Sequence, residues 1–273
     1  MRCHYLSDLH LEAQDFVRPL PGGDMLIIAG DLCQARALDP ARQDLYSIEQ
    51  RTRVMRFLDK ARDRFRHVLL VAGNHEHYDG IFEDTVTMLR AELAGVTVLD
   101  DEAVEIGGVR FFGTTLWSGF EGGSQAVLDG VRKRMGEYFF VRTHAGSALG
   151  ENSGRPRRFQ PEDALAAFRR ATAALSAELA TSFAGPTVVV SHHAPSRKGL
   201  NALFMGNGLD GAYASDLEPL IAGLADVPFW VHGHTHVARR YPIGETMVLS
   251  NALGFEARGH AAPGFSTTAC FEI

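Results

Sequence analysis

The sequence predicts an α/β protein in one domain, and three observations carry that expectation. Short apolar runs alternate with amphipathic stretches through the first third of the chain, the order that βαβ units produce. Each of those runs passes directly into a polar cluster, and in parallel α/β sheets ligands gather at the carboxyl ends of the strands. The 273 residues are 45% apolar and 22% charged, which allows a sizeable core and excludes a disordered or fibrous chain.

Taken in order, Met1–Ser7, Met25–Ala29 and Val68–Ala72 read as strands. Between the last two, Asp44–Phe65 spaces Ile48, Met55, Leu58 and Phe65 at helical intervals with arginines opposite, so a helix with those four facing inward is expected. A second helix is expected over Ile81–Leu93, then strands around Val96–Leu99, Ala103–Ile106 and Val109–Thr114. The pair Gly107-Gly108 signals a hairpin between the last two. Residues 117–160 are the least regular part, with glycines at 119, 122, 123, 146, 150 and 154. One short helix is expected there near Gln125–Met135, and the segment reads as a lid or insert to which Tyr138 and Arg142 contribute.

Pro161 suits the first turn of a long helix whose buried face is Leu165, Phe168, Leu175 and Leu179. Thr187–Val190 reads as another strand. Ser215-Asp216-Leu217-Glu218 has capping-box spacing and is expected to open a helix to Leu224. Val227–Val231 reads as a strand, and Arg240–Tyr241, Met247–Ser250 and Thr267–Ile273 read as closing strands, mostly antiparallel because short turns join them. No composition shift marks a linker.

Several function classes fall away at this point. A net charge of −6, from 27 basic and 33 acidic residues, argues against a nucleic-acid binder that works by broad phosphate neutralisation. No apolar run reaches the ~18–20 residues of a membrane span, and Met1-Arg2-Cys3-His4 opens no cleavable apolar segment. A soluble cytoplasmic protein is expected. Cys3, Cys33 and Cys270 are too few and too scattered for a disulfide framework or a zinc ribbon, and read as buried thiols. The 12 histidines are a different matter, because several cluster with Asp and Asn neighbours, where a search for a metal site begins.

Five clusters follow expected strands: Asp8-x-His10, Gly30-Asp31, Gly73-Asn74-His75-Glu76, His192, and Gly233-His234-Thr235-His236. Singly each is a weak signal; the ordered set, each at a strand end, is specific. In this set the sequence resembles the calcineurin-like metallophosphoesterases, whose motifs are Asp-x-His, Gly-Asp, Gly-Asn-His-(Asp/Glu), His and Gly-His-x-His. The resemblance runs from residue 8 to residue 236. It implies two facing mixed β-sheets flanked by helices, a four-layer αββα sandwich with two metals at the sheet ends. It also implies that Asp8, His10, Asp31 and His236 hold one ion, and that Asp31 bridges to a second held by Asn74, His192 and His234. His75 would stand beside the substrate as proton donor.

Elementary chemistry agrees with that assignment. A two-metal site clamps the attacking and leaving oxygens of an in-line displacement, and one carboxylate must bridge the ions. Asp31, at the end of an apolar central strand, is placed for it. An imidazole-rich set suits two divalent ions of the Mn, Fe, Zn or Ni type, with Mn favoured, better than Mg alone. Only Asp8 and Asp31 are anionic among the ligands, so two divalent ions leave the site near roughly +2, or about +1 with a bridging hydroxide. That local field draws a phosphate ester although the whole protein is acidic. The ions make hydroxide available near neutral pH as the nucleophile, and a histidine can protonate an alkoxide leaving group.

The expected activity is therefore hydrolysis of a small-molecule phosphoester. A diester is favoured over a monoester, because a monoester dianion asks for extra cationic contacts. Arg197 and Lys198, in the loop after His192, are the obvious suppliers of substrate contacts. A nuclease of the same fold and a non-catalytic metal-binding scaffold are the alternatives; the oligomeric state stays open. His193 competes with His192 for the ligand position, with His192 favoured because it directly follows the apolar strand. His232 is either part of the site or structural. Glu76 and His77 either orient His75 or cap the following helix, Cys33 is expected to pack, and Asn251 either lines the mouth of the site or satisfies a turn. The basic runs Arg132-Lys133-Arg134 and Arg155-Pro156-Arg157-Arg158 read as solvated faces.

Overall fold

Apolar residues on successive positions of the central strands need cover on both faces, and this sets up the layers. The computed structural model describes residues 1–144, 155–203 and 205–273. Its first strands are β1 (Arg2–Leu6), β2 (Gly23–Ala29), β3 (Phe65–Val71), β4 (Thr97–Leu99), β5 (Glu102–Ile106) and β6 (Val109–Thr114). Two short strands follow, β7 (Arg142–Thr143) and β8 (Arg157–Arg158), then β9 (Thr187–Ser191), β10 (Phe229–His232), β11 (Arg239–Ile243) and β12 (Thr246–Ser250). The chain closes with β13 (Gly254–Phe255), β14 (His260–Ala261) and β15 (Cys270–Glu272).

One sheet has the order β15-β1-β2-β3-β4 and the other β11-β12-β10-β9-β6-β5. Both are mixed: β1 to β4 run parallel with β15 antiparallel on β1, and the parallel strands β12, β10, β9 and β6 are edged by antiparallel β11 and β5. Between the sheets Tyr5, Met25, Ile27, Leu69 and Val71 pack against Phe111, Val188, Val190, Val231 and Leu249. The alternate residues Leu26, Ile28 and Leu70 face outward onto α1 (Leu45–Arg64) and α2 (Thr85–Glu92). On the far side, Phe112, Val189, Trp230 and Val248 meet Ala171 and Leu175 of the helix Pro161–Leu179. The expected four layers are thus present.

Two local expectations are corrected. The helix α1 buries Ser47, Gln50, Val54, Phe57, Leu58 and Ala61, while Ile48 is exposed and Phe65 already belongs to β3. Gln50 takes a core position because its amide both accepts from and donates to the backbone of Gln34 at 3.2 and 3.0 Å. The capping box at Ser215 does not form. Ser215 instead accepts the Gly119 N–H, Glu218 accepts from Ser196 and Lys198, and the helix spans Glu218–Ala222. The closing strands are mostly antiparallel, as expected: β11 pairs with β12 and β15 with β1 in that sense, while β12 runs parallel to β10.

In the 117–160 segment, residues 145–154 lie outside the described residues. The rest forms short helices at Phe120–Gly123, Gln125–Arg132 and Glu137–Phe140 and the β7–β8 pair. Trp117, Phe120, Leu128, Tyr138 and Phe159 make a separate apolar cluster with Ala164 and Leu165. Tyr138 is thus a packing residue and Arg142 is exposed. Arg132 pairs with Glu162 and Arg157 with Asp163, so both basic runs are partly committed to ion pairs. Cys3 and Cys33 are buried and Cys270 is half-buried. No described helix is long and apolar enough to cross a membrane.

The two sheets are tightly apposed at Gly113 of β6, where an added Cβ would collide with Leu99 and lie 2.8 Å from Val71 Cγ1. Gly113→Ala should therefore destabilise the protein by about 1–3 kcal/mol through overpacking, read as a lower urea midpoint at unchanged slope.

Candidate metal centre

The five polar clusters converge at the carboxyl ends of β1, β2, β3, β9 and β10. The chain leaves these strands through residues in the left-handed region: Asp8 (φ 55°), His10 (49°), Asp31 (54°), His234 (66°) and His236 (46°). Such a conformation costs a non-glycine residue of order 1–3 kcal/mol and persists where surrounding contacts over-determine it. Here it turns the chain so that these side chains gather in one place. The motif glycines make room for them. A Cβ on Gly30 (φ 85°) would collide with the His192 ring, and one on Gly73 would collide with the Asp31 carboxylate.

Glu76 is the contact that fixes the turns after β2 and β3. Fully buried, it accepts the backbone N–H of Leu32 (2.7 Å) and Cys33 (3.1 Å) on Oε1, and of Asp31 (3.0 Å) and Gly73 (2.6 Å) on Oε2. The N–H of His75 in turn donates to Asp31 Oδ1 at 2.9 Å. Asp8 is held likewise, accepting from the Ser7 hydroxyl and from the His234 N–H at 3.1 Å.

Three groups of potential ligand atoms, each within 4.8 Å of one another, share members: Asp8–His10–His236, His10–Asp31–His75 and Asp31–His192–His234. His236 Nε2 lies 3.3 Å from Asp8 Oδ1 and 3.1 Å from His10 Nε2. His10 Nε2 lies 3.9 Å from Asp31 Oδ2, and His192 Nε2 lies 3.4 Å from Asp31 Oδ1. Asn74 Oδ1 is 3.0 Å from His192 Nε2, and His75 Nε2 is 4.0 Å from Asp31 Oδ2. All seven sequence-derived ligand candidates are therefore together, with His75 beside them.

The donor set fits a pair of cations. His192 Nδ1 sits 2.8 Å from the Ala29 carbonyl, which can only accept. A proton is therefore on Nδ1, and Nε2 is directed at the oxygens of Asn74 and Asp31, where a cation could take its lone pair. His10 repeats the pattern, with Nδ1 3.0 Å from Glu12 Oε1 and Nε2 toward His236 and Asp31. Nitrogen and oxygen lone pairs aimed at one another ask for positive charge between them. His234 Nε2 is buried without a partner. Burial and the neighbouring His193, His192 and His236 hold His234 well below the usual histidine range, so its ring is neutral.

The carboxylates respond to the histidines. Burial would raise Asp8, but His236 more than offsets it and lowers the group. Burial would likewise raise Glu12, which His10 and His75 bring down to about 2. In return, Asp31 and Glu12 overcome the effect of burial on His75 and raise it to about 9.

Sequence reasoning missed Glu12 and the aromatic residues around the site. Phe255 stacks on His10 (ring centroids 3.9 Å apart), Tyr78 on His75 (4.3 Å) and Tyr213 on His234 (4.8 Å), each restraining an imidazole plane. Glu12 had one available signal, its position two residues after His10, and Tyr78 had its position three residues after His75; Phe255 and Tyr213 arrive from distant parts of the chain and had none.

Other candidates lie elsewhere. Arg197 pairs with Glu121 and Asp216, Lys198 with Glu218, and neither lines the cavity above the cluster. The expected substrate contacts are corrected accordingly: local carboxylates hold both cations. His193 bonds the Thr115 carbonyl and belongs to none of the three groups. His232 is buried between the Gly233 carbonyl and the Tyr241 hydroxyl, and burial lowers it to about 4, so its role is structural. His77 bonds Thr85 at the start of α2. Asn251 ties Tyr5 to Ser266.

A cavity of about 550 Å³ opens over the cluster. Asp31, Asn74, His75, His234 and His236 lie in its lining, together with Met135, Leu200, Leu203, Met205, Leu209, Tyr213 and Phe255. Arg134 is the single arginine or lysine among the described lining residues. Its guanidinium already donates to the carbonyls of Gly130, Asn207 and Gly208.

Comparison with known proteins gives a consistent picture. The family model described as calcineurin-like phosphoesterase matches residues 1–238. An uncharacterised protein of Acanthamoeba polyphaga mimivirus is 21% identical over 98% of this chain and 95% of its own. The crystal structure of the phosphopantetheinyl hydrolase of Mycobacterium tuberculosis superimposes with a TM-score of 0.62 at 19% identity, covering 99% of this chain and 95% of that one. At that identity the likeness shows the fold.

Glu76→Gln puts an amide NH₂ where two backbone N–H groups need an acceptor, whichever way the amide turns. Unsatisfied buried donors cost about 1–3 kcal/mol each, so a loss of about 2–4 kcal/mol in unfolding free energy is expected, measured by chemical denaturation of the metal-free protein.

Proposed function

The chain belongs to the calcineurin-like phosphoesterase family, and on that premise we propose that it hydrolyses small-molecule phosphodiesters with two divalent cations bound at the Asp31 cluster. The observation that supports this reading is the place of the Asp31 carboxylate between two imidazoles, with His10 Nε2 3.9 Å from Oδ2 and His192 Nε2 3.4 Å from Oδ1. Asp8, His10, Asp31 and His236 would hold one cation, and Asp31, Asn74, His192 and His234 the other; manganese is the first choice because imidazole and carboxylate are mixed. When bound, such cations supply Lewis acidity toward phosphoryl oxygens and lower the pKa of water.

The chain's own residues supply the rest. His75 reaches the cavity, and its Nδ1 is 2.9 Å from Glu12, so Nε2 is left on the side of Asp31, where a proton on it would serve a leaving oxygen. Tyr78 keeps that ring in plane. The apolar wall of the cavity suits the organic part of an ester and excludes water from around it. No uncommitted arginine or lysine is found among the described lining residues. A singly charged diester is therefore favoured over a monoester dianion or a polyphosphate, and the same shortage speaks against the nuclease alternative. A phosphopantetheinyl ester, the substrate class named for the Mycobacterium tuberculosis hydrolase, belongs in the substrate panel.

With manganese added, bis(4-nitrophenyl) phosphate should be cleaved faster than 4-nitrophenyl phosphate. No turnover of either with any divalent ion, together with no ion bound, would favour the non-catalytic scaffold. Asp31→Asn should abolish activity and lower the bound metal found by elemental analysis. His75→Ala should keep the metal and cut turnover of a diester with an alkyl leaving group by about 10²-fold or more; equal metal loss in both variants would remove His75 from this role. Among 4-nitrophenyl alkyl diesters, kcat/KM should rise by about two- to fourfold per added methylene while the alkyl group enters the apolar part of the cavity. A flat response from methyl to octyl would exclude that placement.

A further inference from the structure

One oxygen of Glu12 serves two histidines with different tasks. Glu12 Oε1 lies 3.0 Å from His10 Nδ1 and 2.9 Å from His75 Nδ1, and the two rings meet edge to face at 4.5 Å. A carboxylate oxygen accepts, so both rings carry their Nδ1 proton toward Glu12 and present Nε2 on the far side. That far side is Asp31, whose Oδ2 is 3.9 Å from His10 Nε2 and 4.0 Å from His75 Nε2.

Glu12 itself touches neither the cavity nor the remaining candidate ligands. It is buried in the turn after β1, its Oε2 has no partner, and among the described residues its side chain pairs only with these two histidines. Its place is set from behind: Arg53 of α1 donates to the carbonyls of Leu11 (3.3 Å) and Glu12 (3.2 Å), and Leu11 N–H bonds the Leu32 carbonyl at 2.9 Å. A dry carboxylate with one idle oxygen is a costly way to fill a turn. The cost is explained if both imidazoles need the same anchor.

We propose that Glu12 is a positioning residue that couples the two halves of the site, fixing His10 as a cation ligand and His75 as proton donor through a single carboxylate oxygen. The proposal rests on the phosphodiesterase reading for the role of His75. Its consequence is that one substitution, at a residue touching neither ion nor substrate, impairs cation affinity and leaving-group protonation together. Partners of this kind commonly change metal affinity or activity by about 10–100-fold.

The test compares wild type, Glu12→Gln and Glu12→Ala. Calorimetric titration of the metal-free proteins with Mn²⁺ should show affinity weakened by about tenfold or more in both variants. Two diesters, one losing 4-nitrophenolate and one losing an alkyl alkoxide, should then separate positioning from general damage. Both variants should slow the alkyl ester at least about tenfold more than the nitrophenyl ester, because only the alkoxide needs the proton. In a His75→Ala background Glu12→Gln should add no further selectivity between the esters and still weaken Mn²⁺ binding.

Unchanged Mn²⁺ affinity with both esters slowed equally would overturn the proposal. If either variant fails to fold, Glu12→Asp keeps the charge and cannot reach both rings, and the same pair of readouts applies to it. If the wild-type protein cleaves neither ester, the phosphodiesterase reading fails by itself, and the Mn²⁺ titration still decides whether Glu12 anchors His10.

Discussion

Everything at the centre depends on where the chain turns after β2 and β3, and Glu76 decides that. Its two oxygens gather N–H groups from Asp31, Leu32, Cys33 and Gly73, which would otherwise be buried donors without partners. With that carboxylate in place the Asp31 backbone can hold a φ of 54°, and its side chain swings to the middle of the cluster. The same residue that closes the Gly-Asn-His-Glu motif thus sets the geometry of the Gly-Asp motif, about one strand and one helix away in sequence. Neighbouring strands make this possible, since β2 and β3 are paired in parallel along Met25–Ala29 and His67–Val71 and end side by side.

Much of the architecture was legible because its cause is local. A strand buried on both faces must be apolar at successive positions, and β2, β3 and β9 are. A strand end that carries chemistry breaks abruptly into polar residues, and each of the five does. The ligand candidates could therefore be read from the chain as ordered clusters at strand ends, and all seven came together. Where local pattern failed, a distant partner had intervened. Gln50 sits in the core of α1 because a loop amide at Gln34 needs it. Ser215 does not cap because Gly119 claims its hydroxyl. Arg197 and Lys198 turn to carboxylates that lie close only in the folded chain.

The shell around the ligands was less legible for the same reason. Phe255, Tyr78 and Tyr213 each restrain one imidazole, yet an isolated aromatic residue in a sequence reads as core. Glu12 reads as a solvated carboxylate on a loop. Its burial follows from the turn after β1 being stitched to the turn after β2, with His10 N–H bonded to the Asp31 carbonyl and Leu11 N–H to that of Leu32. No spacing rule contains that information, because it belongs to the pairing of two loops.

The shell also changes the electrostatic account of the site. With only Asp8 and Asp31 counted, two divalent cations leave a clear surplus of positive charge. The fold places two more buried carboxylates beside them, Glu12 against His10 and His75 and Glu76 under Asp31. Two divalent cations, if bound, would be enclosed by these four carboxyl groups, of which burial and the neighbouring Asp31 raise Glu76 to about 7 in the metal-free protein. In the metal-free protein the same anions must be balanced otherwise, and the histidines supply the charge. Asp31 and Glu12 hold His75 at about 9 in spite of burial, and Asp8 raises His236. Cations and protons therefore compete for one region of negative potential, and loading the site with cations must release protons from it.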